Sequence, residues 1–247
     1  VFVLLGAAGG IFIILMPDNF FRAIVPAALG ISLVLMILTL ATPLGEVRLG
    51  ARRWLRLGPL SMQPSEVVKI SVVLFLSHYL GKHDRDLKRL SVTALPVCIS
   101  LLFAALIILQ RDFSTAVLFI LVCFAMIAAS PTRLIYLVYV MLITVIPGIL
   151  LLLSQEYRFR RVFGFLFPEA DPTGMNYQVN MSLQAVASGG IWGTGIGMGS
   201  VKYRVPEVIS DFIFAAFAEE TGLIGVGAVS LLFMSLAVIG FRAASAH

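Results

Sequence analysis

Long apolar runs separated by short polar segments are the dominant pattern of this chain of 247 residues. The runs show no alternation of apolar and polar positions, which strands of a membrane barrel would require. Several approach the ~20 residues that a helix needs to cross a bilayer. The pattern therefore predicts an all-α integral membrane protein, a polytopic helical bundle. Seven spans are predicted, at roughly residues 1–16, 23–41, 66–80, 92–109, 115–129, 134–153 and 211–241.

The last predicted span is longer than one crossing requires at ~1.5 Å of rise per residue. Gly222 and Gly225 would allow it to bend, or its ends would stand outside the bilayer. A long polar loop, about 154–210, precedes it. We expect residues 1–247 to form a single transmembrane domain that is incomplete, because the chain begins inside one span and stops just after another.

Composition agrees with this class of protein. Hydrophobic residues make up 60% of the chain and charged residues 13%, whereas a soluble domain carries about 25% charged residues. Cys98 and Cys123 lie inside apolar runs without metal-ligand spacing, so neither a disulfide framework nor a zinc site is expected. No nucleic-acid partner is expected, and the sequence assigns no metal ligands.

The polar stretch from Asp171 to Glu220 contains six glycines in the eleven residues 189–199. Charge near a membrane is costly and therefore tends to be functional. No strand precedes the glycines and no Walker lysine follows them, so a nucleotide loop is not indicated. Two interpretations stay open: close backbone packing of a short interfacial helix and turn, or backbone that approaches a ligand.

The segment 50–69 joins two predicted spans and ends in a helix start. Pro64 suits the first helical turn, and Glu66 suits the positive end of the helix dipole. Glu66 and Lys69 are three positions apart, on neighbouring helix faces. The pair either eases insertion of a capped helix or belongs to a binding site.

The binding interpretation rests on the basic residues of the same segment. Arg52, Arg53 and Lys69 would attract phosphate, with Trp54 anchoring at the membrane interface. If the 81–91 loop is cytoplasmic, the arginines of 48–56 lie outside, against the positive-inside rule. Either the topology is reversed, or these arginines serve an anionic ligand outside.

Carboxylates elsewhere in the chain allow a structural or a functional interpretation. Asp112 either ends a polar hairpin near a helix N-terminus or faces a cavity shared with the long loop. Asp171 begins a sequence typical of a type I turn, which can also hold a carboxylate rigidly in an active site. Glu219 and Glu220 lie about two turns into the last span, where each costs roughly 2.5–3.5 kcal/mol and needs partners or water.

Three stretches together resemble the SEDS family (shape, elongation, division and sporulation), whose members include FtsW and RodA. They are GARRWLRLG…QPSEVVK, QRDFSTA and DPTGMNYQ…ASGGIWGTGIG…VPEVISDFIFAAFAEETGLIG. The resemblance covers nearly the whole chain, and YRFRRVFGFLFPEADP and VPEVISDFIFA are closer to FtsW than to RodA. It implies a ten-span bundle with a long extracytoplasmic loop, of which this chain would hold the second to eighth spans.

The resemblance implies peptidoglycan glycosyltransfer from lipid II at the outer face of the bacterial inner membrane, for division or elongation. It further implies a class B penicillin-binding transpeptidase as partner, contacts with membrane lipid and other division or elongation proteins, and a divalent cation such as Mg or Mn as a possible cofactor. It places the 81–91 loop inside. The family's catalytic aspartate falls on Asp171. Candidate substrate-binding residues are Arg52, Arg53, Trp54, Gln63, Ser65, Glu66, Lys69, Gln110, Asp112, Gln178, Ser188, Glu207, Asp211, Glu219 and Glu220.

The chain departs from the family pattern at a few positions. Arg111 stands where members often have proline, Ser114 where they often have glycine, and PEVISDF replaces the commoner PEAHTDF. These differences leave the implied function in place but leave the roles of residues 110–115 open.

Sugar transfer of this kind is an attack by an acceptor hydroxyl on an anomeric carbon that carries a lipid diphosphate. One base and several cations suffice, so the paired carboxylates of glycosidases are not required. The hypothesis is that Asp171 deprotonates the GlcNAc 4-hydroxyl, with inversion at MurNAc, while Arg52, Arg53 and Lys69 neutralise the diphosphate. A lipid II flippase and a non-catalytic scaffold for the transpeptidase are the alternatives.

Overall fold

A computed structural model describes residues 2–48, 50–58, 60–154, 163, 177–200 and 212–245. The chain divides into two compact units, residues 1–150 and 151–247. Each unit is described by itself. Asp171, Glu207 and Asp211 lie outside the described residues.

Unit 1 is built from six helices. They are α1 (Phe2–Leu15), α2 (Asp18–Ala41), α3 (Pro64–Lys82), α4 (Leu90–Leu109), α5 (Phe113–Ala128) and α6 (Leu134–Leu153), whose last turn runs into unit 2. A single 3₁₀ turn, Asp84–Asp86, lies between α3 and α4. The predicted helical bundle is confirmed, and each of the six runs that precede the long loop is a helix.

Apolar length differs among these helices. Four segments in the described part of the chain are long and apolar enough to cross a membrane: Asn19–Ala41, Leu90–Leu109, Leu134–Leu153 and Ile213–Ala244. Gly6–Leu15 of α1 and all of α5 are apolar but shorter. The predicted span 66–80 is a helix, but α3 does not reach the same apolarity, because Glu66, Lys69 and His78 interrupt it.

The position of α3 explains its composition. It packs against α2, α4 and α5, and Val68, Val72 and Leu76 are fully buried. Its Ser71 is buried too and accepts a hydrogen bond from Ser32 of α2 at 2.8 Å. A helix surrounded by other helices meets little lipid, so its sequence need not be uniformly apolar.

A small antiparallel sheet between α2 and α3 was not predicted. Its strands are β1 (Gly45–Arg48), β2 (Ala51–Leu57) and β3 (Leu60–Met62), in the order β1-β2-β3. Gly50 and Gly58 follow β1 and β2 with φ of 76° and 63°, a conformation that glycine adopts without a steric penalty. The glycine-bounded run ARRWLRL is therefore a hairpin strand, and it sets the positions of three arginines.

Unit 2 contains α7 (Tyr177–Gly189) and α8 (Ile213–Ser245), which pack against each other. The buried face of α7 consists of the small residues Ser182, Ala185 and Gly189. A Cβ added to Gly189 would overlap the carbonyl oxygen of Ala218. Small residues at this contact let the two backbones approach closely, as between helices in membranes.

Helix α8 is interrupted at Gly222, where φ is 64° and ψ is −165°. The predicted bend therefore occurs at Gly222, and α8 continues as helix through Gly225. A break of this kind frees carbonyl groups before it and N–H groups after it. Within a membrane such groups need partners from the protein itself.

The glycine-rich segment supplies those partners. The N–H groups of Thr194 and Gly195 donate to the carbonyls of Glu219 and Glu220, at 2.9 and 3.1 Å. In return, Leu223 N–H donates to the carbonyl of Gly190 at 2.9 Å, and Ile224 N–H donates to that of Ile191 at 3.3 Å. The segment therefore closes the gap in α8 on both sides.

Glycine is required for this close approach. A Cβ on Gly193 would overlap the carbonyl oxygen of Glu220, and Gly193 itself has a φ of 79°. The interpretation of the glycine run as close backbone packing is confirmed.

Replacing Gly222 by alanine should lower the thermal unfolding midpoint of the purified protein in detergent. The new Cβ would meet the backbone of Ile191 and Gly193, and the positive φ alone costs about 1–3 kcal/mol. Gly227→Ala is the matched control in the same helix, because nothing lies within 4 Å of its Cβ position. Equal midpoints for the two variants would contradict the role given to the break.

Candidate functional site

Two motifs that are far apart in sequence meet in unit 1. Gln63, the residue before α3, donates from Nε2 to Oδ2 of Asp112 at 2.7 Å. Asp112 precedes α5 and follows the turn that ends α4. The QPSE element and the QRD element are thus joined by a direct hydrogen bond.

Asp112 is the centre of this contact, with only 4% of its side chain exposed. Its Oδ1 accepts from the backbone N–H of Thr115 at 3.3 Å, so it is the N-cap of α5, as the hairpin interpretation predicts. Nη1 of Arg53 lies 3.9 Å from the same oxygen. One carboxylate therefore links β2, α3 and α5.

Three buried polar atoms, one on Arg53 and two on residues close in sequence to Gln63 and Asp112, have no hydrogen-bond partner among the described residues. They are Nε of Arg53, Oγ of Ser65 and Oε1 of Gln110. Within the described residues, the Gln110 side-chain amide makes one hydrogen bond, from Nε2 to the weak acceptor Sδ of Met36 at 3.4 Å. Buried polar groups are nearly always hydrogen-bonded, to protein or to ordered water. We call Arg53, Gln63, Ser65, Gln110 and Asp112 the polar cluster; its unfilled hydrogen-bonding capacity fits water or a polar ligand.

Arg52 and Arg53 are neighbours in β2 with different environments. Arg52 donates to three backbone carbonyls at the end of α2 and the start of β1: those of Leu40 at 3.1 Å, Thr42 at 2.6 Å and Gly45 at 3.2 Å. It therefore caps the C-terminus of α2, where a cation is favoured. Arg53 keeps hydrogen-bonding capacity that Arg52 has already used.

Glu66 and Lys69 form the predicted ion pair, with 2.8 Å between Nζ and Oε2. The Glu66 side chain is 58% exposed and that of Lys69 30% exposed, and exposed pairs of this kind contribute little to stability. Lys69 is thus held near the start of α3 without being sealed from solvent. Trp54 is half-buried in β2.

The turn before Asp112 contains Arg111, one of the positions that depart from the sequence pattern of the resembled family. Arg111 has a φ of 61°, which proline cannot adopt. Its Nη1 donates to the carbonyl of Gly50 at 3.4 Å, between β1 and β2. A proline at position 111 would therefore require a different backbone in this turn.

The predicted site residues of unit 2 do not form a comparable cluster in the described part of the chain. Ser188 donates to the carbonyl of Ala185 within α7, and Gln178 lies near the start of the same helix. Glu219 is 3% exposed, and its Oε1 accepts from both N and Oγ of Ser200 at 2.9 Å. The cost of burying this carboxylate is thereby offset, while Glu220 is half-buried next to it.

Asp171, Glu207 and Asp211 fall outside the described residues, so their roles stay predictions. Among the residues that the structure does describe, no group of three or more His, Cys, Asp or Glu side chains could hold a metal ion. The divalent cation also stays a prediction.

The fold and the polar cluster define a polytopic helical membrane protein with a polar site where its connecting segments meet. Over residues 1–247 the chain matches the model of the FtsW/RodA/SpoVE family, described as cell cycle proteins. The chain belongs to this family, which is the SEDS family of the sequence resemblance. It is a multi-pass protein of the bacterial inner membrane.

Two curated relatives illustrate the similarity. The probable peptidoglycan glycosyltransferase FtsW of Borreliella burgdorferi is 41% identical over 208 residues, covering 83% of this chain and 57% of the relative. The stage V sporulation protein E of Bacillus subtilis is 35% identical over 217 residues, covering 87% of this chain and 59% of the relative. The chain thus spans a little over half the length of these relatives.

A solved structure supports the fold. It comes from work on the structural coordination of polymerization and crosslinking by a peptidoglycan synthase complex. The similarity has a TM-score of 0.69 at 26% identity, and covers 95% of this chain and 65% of that one. The helical bundle predicted from the sequence is therefore that of a known membrane protein family.

A double-mutant cycle of Gln63→Ala and Asp112→Ala should show a coupling energy of about 1–3 kcal/mol in the free energy of unfolding, measured in detergent micelles. The two side chains share a buried hydrogen bond, so either substitution leaves the other group without its partner. The exposed pair Asp86 and Arg89, 3.4 Å apart, is the control and should couple by no more than about 0.5 kcal/mol. Additive effects at Gln63 and Asp112 would show that the contact contributes nothing.

Proposed function

We propose that this protein is a peptidoglycan glycosyltransferase that polymerises lipid II into glycan strands. The observation that carries the proposal is the polar cluster, in which the QPSE and QRD motifs meet around a buried carboxylate and an arginine with an unpartnered Nε. The names of the curated relatives support the same activity. The reaction transfers a sugar from a lipid diphosphate to an acceptor hydroxyl, with inversion.

The leaving diphosphate needs positive charge, and the environments of the basic residues rank them for this role. Arg53 is the first candidate, because its Nε has no partner among the described residues and Asp112 holds only one edge of its guanidinium. Lys69 is the second, since its ion pair with Glu66 is partly exposed. Arg52 ranks last, because the capping of α2 already occupies it.

The proposed base is Asp171, which would take the proton of the acceptor 4-hydroxyl as the new glycosidic bond forms. The electron pair of the broken bond leaves with the lipid diphosphate, whose charge the cations meet. A positioned base of this kind contributes typically 10²–10⁴-fold. No step here is assigned to a divalent cation, since the described residues offer no group of ligands for one.

We also propose a class B penicillin-binding transpeptidase as the partner. The similar solved structure comes from a complex that coordinates polymerization with crosslinking, and newly polymerised strands are the substrate that such an enzyme crosslinks. Other division or elongation proteins would join the same assembly. One relative is named a peptidoglycan glycosyltransferase FtsW and another a sporulation protein, so the cellular process is left open.

Asp171→Ala should reduce lipid II polymerisation by roughly 10²–10⁴-fold, assayed with purified full-length protein and its transpeptidase partner. Asp84→Ala is the control, because it removes an exposed carboxylate from the 3₁₀ turn after α3 and should leave the rate unchanged. Equal polymer from wild type and Asp171→Ala would reject the base. No polymer from either, with lipid II crossing liposomes, would favour a flippase; neither activity would favour a scaffold.

Arg53→Gln should lower kcat/KM for polymerisation by about tenfold or more, because a donor to the leaving diphosphate is lost. Arg56→Gln is the matched control in the same strand; Arg56 is exposed and donates only to the carbonyl of Gly58 in the described part of the chain. Unfolding midpoints of both variants should be measured alongside, to separate a loss of folding from a loss of turnover. Equal kcat/KM for the two folded variants would remove Arg53 from the site.

A further inference from the structure

A second candidate site lies in unit 1, at the ends of α2 and α3 that are remote from the sheet. A cavity of about 540 Å³ opens there between the first turns of α2 and the last turns of α3. This volume is within the ~300–1,000 Å³ of small-molecule sites. Its lining residues are Phe21, Arg22, Val25, Leu74, Ser77, His78, Gly81 and Lys82. We call it the basic cavity.

The polar side of the basic cavity is cationic. Arg22 and Lys82 line it from opposite helices, together with His78 and the hydroxyl of Ser77. None of the described residues that line it is acidic, and no hydrogen bond or ion pair of the Arg22, His78 or Lys82 side chains is found within the described chain. Two basic side chains that line one space, with no acidic residue in its described lining, favour an anion there.

The rest of the cavity lining is apolar, which favours an anionic ligand that also has an apolar part. Phe21, Val25 and Leu74 form the other wall, and Val25 is 4% exposed. Arg22 lies about one turn inside the apolar segment Asn19–Ala41. If that segment crosses the bilayer, Arg22 is expected close to the boundary between headgroups and hydrocarbon. An anion with an apolar neighbour, presented at that depth, is the phosphate of a lipid headgroup.

We propose that the basic cavity binds the phosphate of an anionic membrane lipid, with Arg22 and Lys82 as its two cations and the hydroxyl of Ser77 as a donor. The helix dipole of α3 accounts for one basic residue at its C-terminus, but not for Arg22 near the N-terminus of α2. Nearby basic residues that avoid the cavity, Arg85 and Lys88, belong to the turn between α3 and α4. The site is separate from the polar cluster, which adjoins the opposite end of α3.

Lipid binding to purified, delipidated full-length protein tests the proposal without any activity assay. Phosphatidylglycerol, phosphatidylcholine and inorganic phosphate are each titrated, and bound lipid is counted by native mass spectrometry alongside the thermal unfolding midpoint. The wild type should retain phosphatidylglycerol in preference to phosphatidylcholine. Arg22→Gln with Lys82→Gln should weaken that binding on the order of tenfold or more. Arg85→Gln with Lys88→Gln removes the same charge outside the cavity and should bind as wild type does.

A second variant keeps every charge and fills the space instead. Nothing lies within 4 Å of a Cβ at Gly81, which lines the cavity, so a side chain can begin there without meeting a neighbour. Gly81→Leu should therefore fill part of the cavity and expel the headgroup. Gly30→Leu, equally unobstructed in α2 and outside the cavity, is its control. Gly81→Leu and Gly30→Leu test lipid binding at the cavity even if the variant with both charges removed does not fold.

The outcomes separate the possible occupants. Loss of phosphatidylglycerol in both cavity variants and not in their controls supports the site. If inorganic phosphate raises the midpoint as much as the lipid does, and needs Arg22 and Lys82 to do so, the site stands and its ligand is soluble phosphate. Equal binding by the cavity variants and their controls, or equal binding of phosphatidylcholine, would overturn the proposal. All of these measurements are of binding and stability, so their outcome does not depend on whether the protein polymerises lipid II.

Discussion

In a membrane, polar groups of the chain must find their partners within the protein, because lipid offers none. The break in α8 shows how strictly this holds. The interruption of the helix at Gly222 leaves backbone N–H and C=O groups on both sides without partners in the helix. Residues 190–195 make four backbone hydrogen bonds to these groups. A Cβ at Gly193 would overlap the carbonyl oxygen of Glu220, so glycine at that position follows from the close approach to the break.

The same constraint distinguishes structural from functional polar groups. Arg52 and Glu219 are surrounded by partners that use their charge, at the end of α2 and beside Ser200. Ser65 and Gln110 are buried, and each has an atom without a partner among the described residues; so does the half-buried Arg53, at its Nε. Leaving a buried polar group without a hydrogen bond costs about 1–3 kcal/mol. Packing of the protein alone does not explain three such atoms, and water or a polar substrate would provide the hydrogen bonds they lack.

The sequence was sufficient for the helices but not for the contacts between them. Apolar run length predicts α1 to α6, and the flanking Pro64 and Gly222 predict a start and a bend. The sheet was missed because its strands are only three to seven residues long, and β1 and β2 carry charged residues among the apolar ones. Gln63 and Asp112 are 49 residues apart, and no local pattern indicates that they pair. Arg52 and Arg53 look equivalent in sequence. Their roles differ because Arg52 donates to carbonyl groups at the end of α2 and the start of β1.

Helix α3 connects the two candidate sites of unit 1. It begins at the polar cluster, with Gln63 as its N-cap and Ser65 in its first turn, and it ends at the basic cavity with His78 and Lys82. Its 19 residues span roughly 28 Å at 1.5 Å per residue, close to the thickness of a bilayer's hydrocarbon core. An anion in the basic cavity would therefore be too far away to touch a ligand at the polar cluster. Any coupling between the two sites would have to act through α3 and the helices packed against it, of which α2 is joined to α3 at mid-helix by the buried Ser32–Ser71 hydrogen bond.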